Sequence, residues 1–148
     1  KESEIKRYLK QTYNGILDKD IITSNSKINR QNFEVVASYI MANSGNEFSS
    51  TNIENYFKSK NKIALDRKTV YRYLDKMEKA CLINRVKRFN IVGKQAMSYI
   101  EKQYAVDIGF RMINTNLISY SDSFFLENII YMDIIQLIMC NCSGCCAV

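Results

Sequence analysis

The chain has 148 residues, 47% hydrophobic and 24% charged, a globular balance that excludes an intrinsically disordered chain. Its 21 Lys and Arg against 15 Asp and Glu leave a formal charge of +6, which suits a nucleic-acid or phosphate partner without demanding one. Histidine, proline and tryptophan are all absent, so Ser-His and Cys-His catalysis and histidine-rich metal sites are excluded, leaving carboxylates, lysines and cysteines.

In chain order, Glu4 to Asp20 reads as a helix. Ile5, Leu9, Ile16 and Leu17 fall on helical spacing, with Tyr8 and Tyr13 alongside. A polar connector from Ile22 to Lys27 precedes a second helix, Arg30 to about Ala42, whose buried stripe is Phe33, Val36, Ala37, Ile40 and Met41. Asn43-Ser44-Gly45-Asn46 stops it, with Gly45 placed for a left-handed turn. Ser49 and Ser50 offer caps for a short third helix, Thr51 to about Ser59, whose apolar positions are Ile53, Tyr56 and Phe57. Asp66 is a good N-cap for a fourth helix running to about Ala80, on which Val70, Leu74, Met77 and Cys81 share one face.

After Leu82 the period changes. Leu82 to Phe89 alternates as a strand does, Asn90 to Gln95 makes a tip around Gly93, and Met97 to Val106 supplies the returning strand. Asp107-Ile108-Gly109 reads as a turn, and Ser123 to about Met139 as a strongly apolar helix. Glu127 and Asp133 interrupt that helix, so its uncharged run falls short of the ~18 residues of a membrane span, and no membrane association is expected. The expected fold is mainly α with a small β wing, a winged helix-turn-helix plus flanking helices.

The fourth helix has a second face. Lys68, Arg72, Lys76 and Lys79 lie opposite Val70, Leu74 and Met77, with Tyr71 and Asp75 beside the row. A helix that buries one stripe and turns Arg, Lys and Tyr outward suits the major groove of double-stranded DNA. The hairpin adds Arg85, Lys87, Arg88 and Lys94 with no acid between Asn84 and Gln95. The nucleic-acid-binding set is therefore Lys68, Tyr71, Arg72, Lys76, Arg85, Lys87, Arg88 and Lys94. A second reading stands beside it: every amphipathic helix has a polar face, and the same surface serves a protein-interaction module.

Cys81, Cys140, Cys142, Cys145 and Cys146 are an odd set with four crowded into the last nine residues, unlike a secreted disulfide framework. The chain opens Lys1-Glu2-Ser3-Glu4, with neither an initiator methionine nor an apolar leader. The expectation is a cytoplasmic protein cut from a longer chain. The C-x-C-x-x-C-C tail has no partner cluster and lacks zinc-ribbon spacing, so no metal is assigned.

Several strings together resemble a family of prokaryotic AAA-type ATPases. They are Tyr13 to Ile21, Phe33 to Gly45 with Ser49 and Ser50, and Lys68-Thr69-Val70-Tyr71-Arg72-Tyr73-Leu74. Val86 to Lys94, Asp107-Ile108-Gly109-Phe110-Arg111 and Leu126-Glu127-Asn128-Ile129-Ile130-Tyr131 continue the likeness, which covers nearly all of Tyr8 to Ile135. The resemblance implies an N-terminal P-loop ATPase domain, a winged helix, and a C-terminal domain of unknown function that looks like a restriction-endonuclease fold. On that basis residues 1–29 end the ATPase lid region and 30–106 are the winged helix. Residues 107–138 open the truncated nuclease-like domain, and 139–148 form an atypical Cys-rich tail. No G-x-x-x-x-G-K-[ST] loop occurs, so ATP and Mg belong to the parent protein and no cofactor is expected in this chain.

Glu127 matches the position of a nuclease-type Glu on the first helix of that domain. The Asp, Glu and Lys strand residues that would complete the site are absent, and one carboxylate cannot build a hydrolytic metal centre. Glu127 is read as a helix-surface or interface carboxylate, and no catalytic residue is assigned. The expected partners are double-stranded DNA and the missing ATPase and C-terminal domains. The apolar last helix should pack on the winged helix, be poorly ordered, or join copies into a homo-oligomer.

Overall fold

The computed structural model describes residues 2–23, 28–61, 65–90, 93, 95–114 and 122–142. Helix α1 (Glu2–Ile16) continues through a π-helical turn, Leu17–Ile22, closed by Thr23 N–H donating to the Asp18 carbonyl at 3.0 Å. Then follow α2 (Arg30–Ala42), β1 (Glu47–Phe48), α3 (Ser50–Tyr56) with a second π turn over Phe57–Asn61, and α4 (Arg67–Lys79). Strands β2 (Ile83–Asn90) and β3 (Gln95–Ala105) form a hairpin, and α5 (Ile108–Asn114) and α6 (Asp122–Cys142) end the described chain. The protein is mainly helical with one small antiparallel sheet of order β1-β3-β2.

Local chemistry sets most of these boundaries. Asn29 caps α2, its side chain accepting from Asn32 N–H at 2.9 Å. Ser49 and Asp66 do the same for α3 and α4, accepting from Asn52 and Thr69 N–H. The hydrogen bond from Thr69, reinforced by the nearby Arg72 charge, holds the Asp66 carboxyl below its ordinary value. Gly45 follows α2 at φ 88 and donates its N–H to the Gln103 carbonyl at 2.8 Å, so the left-handed turn also docks on β3.

The core lies where α2, α3 and α4 meet the π turns and the base of the hairpin. Phe33, Val36, Ile40, Met41, Ile53, Phe57, Val70, Leu74, Met77 and Leu82 are all buried. The Phe33 and Tyr73 rings meet edge to face at 5.3 Å and lock α2 against α4.

The structure adds to or changes the sequence reading at four points. Ile5, on helical spacing with Leu9, and Tyr8 beside it are exposed, because α1 meets the core through Leu9, Tyr13, Ile16 and the residues beyond. Asp107 opens a helix instead of a free turn: its carboxylate accepts from Gly109 N–H at 2.6 Å and its carbonyl from Phe110 N–H at 3.0 Å. Strand β1 was not expected at all, since two residues carry no period and exist as a strand only by pairing with Glu101 and Lys102. Tyr56, an apolar position of α3, is half-buried and packed on Tyr39 at 4.4 Å between ring centres.

Helix α6 docks on β3 through its first half. Asn128, fully buried, accepts from Ala105 N–H and donates to Ala105 C=O, both at 2.9 Å, and also accepts from the Ser44 hydroxyl. The side-chain amide thus supplies the strand that β1 is too short to provide at this point of the sheet edge. Tyr131 stacks on Tyr104 at 4.0 Å. Beyond Ile135 every described side chain of α6 is exposed, and Leu126, Ile130, Ile134 and Leu137 line its outer face.

Candidate nucleic-acid interface

Helix α4 buries Val70, Tyr73, Leu74 and Met77, which fixes what its other side presents. At 100° per residue, Lys68, Arg72, Asp75 and Lys79 project opposite that stripe, and all four are exposed. Tyr71 and Lys76 sit on the two flanks, each half-buried. Among the described residues Lys68 and Lys79 make no ion pair, and the Arg72 guanidinium lies 5.8 Å from the Tyr73 ring centre. Three exposed cations on one stripe, held by a capped and well-packed helix, can neutralise phosphates and reach base edges.

The hairpin divides the remaining candidates. Lys87 is exposed and makes no ion pair among the described residues. Arg88 is exposed and lies 3.6 Å from Glu47 of β1, with both side chains more than half open to solvent, a weak and screened pair. Lys94 lies outside the described residues.

Arg85 stands apart. Its side chain is only 13% exposed, and its guanidinium meets the two oxygens of buried Glu101 at 3.1 Å, Asp75, and Glu78 at 3.6 Å. It also lies 5.7 Å from the Tyr71 ring centre. Desolvation alone would lower its pKa, but the Glu101 and Asp75 hydrogen bonds and charges outweigh that and hold it above the ordinary value. The residue counted as a free wing cation is already spent on three acids. Hydrophobic patterning could not find this, because Glu101 and Gln103 are polar residues on the buried face of β3, beside Ala105. The two-residue spacing of Glu101, Gln103 and Ala105 was the available signal.

Glu127 accepts from Lys102 Nζ at 2.7 Å and from the Tyr104 hydroxyl at 2.6 Å. Desolvation would raise its pKa, yet these hydrogen bonds and the Lys102 charge hold it below its ordinary value. Its place in the fold is the seam between α6 and β3. Among the described residues no cluster of three or more acids or cysteines could hold a metal ion. Of the tail cysteines, Cys140 is exposed and free, while the side chain of Cys142 and all of Cys145 and Cys146 lie outside the described residues.

A polar depression of about 300 Å³ lies between α1, α2 and α5, lined by Lys10, Tyr13, Asn14, Glu34, Ser38 and Asn114. Its one carboxylate is engaged by Arg30 at 2.8 Å, and burial, then the Glu34 charge, pushes the Tyr13 hydroxyl well above its usual range.

Residues 1–120 match the model of a family described as a domain of unknown function (DUF8612). The chain belongs to that family. No curated protein and no solved structure matches it. Among the described residues no helix is long and apolar enough to cross a membrane.

Proposed function

We propose that residues 30–106 are a winged helix-turn-helix that binds double-stranded DNA, with α4 in the major groove and the β2–β3 hairpin as its wing. The observation that carries this reading is the exposed Lys68-Arg72-Lys79 stripe, backed by the buried Val70-Leu74-Met77 stripe and flanked by the hairpin. The element order α2-β1-α3-α4-β2-β3 supports it, with α3 and α4 as the helix-turn-helix pair. The contact set is Lys68, Tyr71, Arg72, Lys76, Lys87, Arg88 and Lys94, to which the exposed stripe adds Lys79, and Arg85 leaves it because its charge is engaged within the protein. In this reading the domain is a non-catalytic, cytoplasmic part of an AAA-type ATPase, and ATP and Mg act on the parent.

Binding to a short duplex as a function of salt tests it. Each neutralised phosphate contributes about −0.9 to the slope of log K against log salt, so Lys68, Arg72, Lys76, Lys79, Lys87, Arg88 and Lys94 predict a slope of roughly −6. Combined Arg72→Ala and Arg88→Ala should reduce that slope by about two and abolish binding at physiological salt. Absence of binding at low salt would sink the reading.

That outcome favours a second reading, a module coupling the parent's ATPase domain to its C-terminal domain. Its specific support is the outer face of α6, where Leu126, Ile130, Ile134 and Leu137 stand exposed.

A further inference from the structure

Arg85 was expected to touch nucleic acid, and its surroundings give it a different task. We infer that Arg85 is a positioning residue: it locks the hairpin to α4 and offsets carboxylates that would otherwise repel phosphate, without contacting DNA itself. The inference rests on α4 being the DNA-facing helix.

The geometry joins three elements through one side chain. Arg85 belongs to β2. Its Nη2 donates to both Glu101 oxygens at 3.1 Å and its Nε to one of them at 3.3 Å, which fixes β3. Its Nη1 donates to Asp75 and lies 3.6 Å from Glu78, and the guanidinium sits over Tyr71, so α4 is fixed as well. Gln103 donates to the same Glu101 oxygen at 3.1 Å, which holds that carboxylate in place. Only a planar fork with several donors spans partners on two sides in this way; the compact ammonium of lysine does not.

The electrostatics point the same way. Glu101 is 3% exposed, so no phosphate can take its place on Arg85 without unpairing a buried charge. Asp75 lies on the exposed face of α4, three residues after Arg72 and four before Lys79, within the stripe that would face DNA. Without Arg85, Asp75 and Glu78 would stand uncompensated beside incoming phosphates. Arg85 therefore sets both the wing's angle and the sign of the field between wing and helix.

The test compares wild type, Arg85→Met, Arg85→Lys, and the triple variant Asp75→Asn, Arg85→Met, Glu101→Gln, in which the guanidinium and two of its carboxylates leave together. Each binds a fluorescent duplex across a salt series, and backbone amide exchange of β2 and β3 is followed without DNA. Arg85→Met should lose at least tenfold in affinity and exchange faster at Arg85 to Lys87 and Glu101 to Gln103, while α2 is unchanged. Arg85→Lys should not restore either property. The triple variant removes the exposed acid on α4 but does not restore the lock, so it should keep the wild-type salt slope and bind more tightly than Arg85→Met, while its hairpin still exchanges faster than wild type. A triple variant as weak as Arg85→Met, with a slope reduced by about one, would show that Arg85 meets phosphate and overturn the inference. Wild-type affinity in Arg85→Met would overturn it too. If Arg85→Met does not fold, the triple variant decides by its salt slope and its hairpin exchange. If wild type itself binds no DNA, the functional reading fails separately, and the exchange rates still decide the lock: unchanged hairpin exchange in whichever Arg85→Met-containing variant folds overturns it, and faster exchange supports it.

Discussion

Replacing Asn128 by Leu should cost more than replacing any charged residue that holds α6. Asn128 is fully buried and makes three hydrogen bonds: from Ala105 N–H, to Ala105 C=O, and from the Ser44 hydroxyl. Leu removes all three. Two of the abandoned groups keep other partners. Ala105 N–H still donates to Ser44 Oγ at 3.1 Å, and the Ser44 hydroxyl can turn to the Gln103 carbonyl at 3.2 Å. The Ala105 carbonyl loses its Asn128 donor inside the α6–β3 seam. A buried polar group left unmade costs about 1–3 kcal/mol, and each lost bond with a surviving partner adds a few tenths to one. The sum is about 2–4 kcal/mol, or roughly 5–15 °C in Tm for a domain of this size. By contrast, Glu127→Gln breaks a pair whose side chains are each more than a third exposed, worth under about 1 kcal/mol. Thermal unfolding followed by circular dichroism measures both, and amide exchange at Ala105 locates the damage. Leu126→Ser on the outer face of α6 is the control and should leave Tm unchanged. If Asn128→Leu melts within a degree of wild type, the carboxamide does not supply the sheet edge, and the account of how α6 docks is wrong.

Three further expectations follow from the same geometry. The folded pKa of Glu127 lies below its ordinary 4.5, so its stabilising contribution is complete above that value and fades as pH falls through the folded pKa. Melts at decreasing pH should therefore show an acid loss in wild type that is smaller in Glu127→Gln. Gly45→Ala forces a methyl onto a residue at φ 88 and should cost about 1–2 kcal/mol, read by denaturant unfolding with an unchanged m-value. Lys68→Ala should weaken binding to all duplexes alike and lower the salt slope by about one, whereas Arg72→Ala should also change sequence preference.

How far the sequence reaches depends on the range of the interactions involved. Helix α2 occupies Arg30–Ala42 and α4 lies between Asp66 and Ala80, where spacing and caps place them, because a cap and a 3.6-residue period act over a few neighbours. The π turns after α1 and α3 extend their helices in ways no local pattern marks. Strand β1 depends on residues more than fifty positions away in β3, and Asn128 on Ala105 across a separate element. The first pairs backbone with backbone and the second a side-chain amide with backbone, and side-chain hydrophobicity encodes neither. Arg85 is the sharpest case. Its charge and its place in a basic run were legible, but its partners come from β3 and α4, and only the fold brings them together.

That last point alters what a charge count can mean for the binding surface. The sequence places four cations and no acid between Asn84 and Gln95, a local +4. In the folded chain Arg85 faces Asp75, Glu78 and Glu101, and Arg88 is within 3.6 Å of Glu47. Of the two wing cations with described side chains that remain exposed, only Lys87 makes no ion pair among the described residues. The exposed positive density therefore shifts from the hairpin to α4, where Lys68, Arg72 and Lys79 share one stripe. A buried ion pair such as Arg85–Glu101 contributes little to counterion release, so affinity should follow α4 more than the wing. The hairpin then matters chiefly for where Arg85 holds it. This is why losing an arginine that touches no phosphate should weaken binding as much as losing one that does.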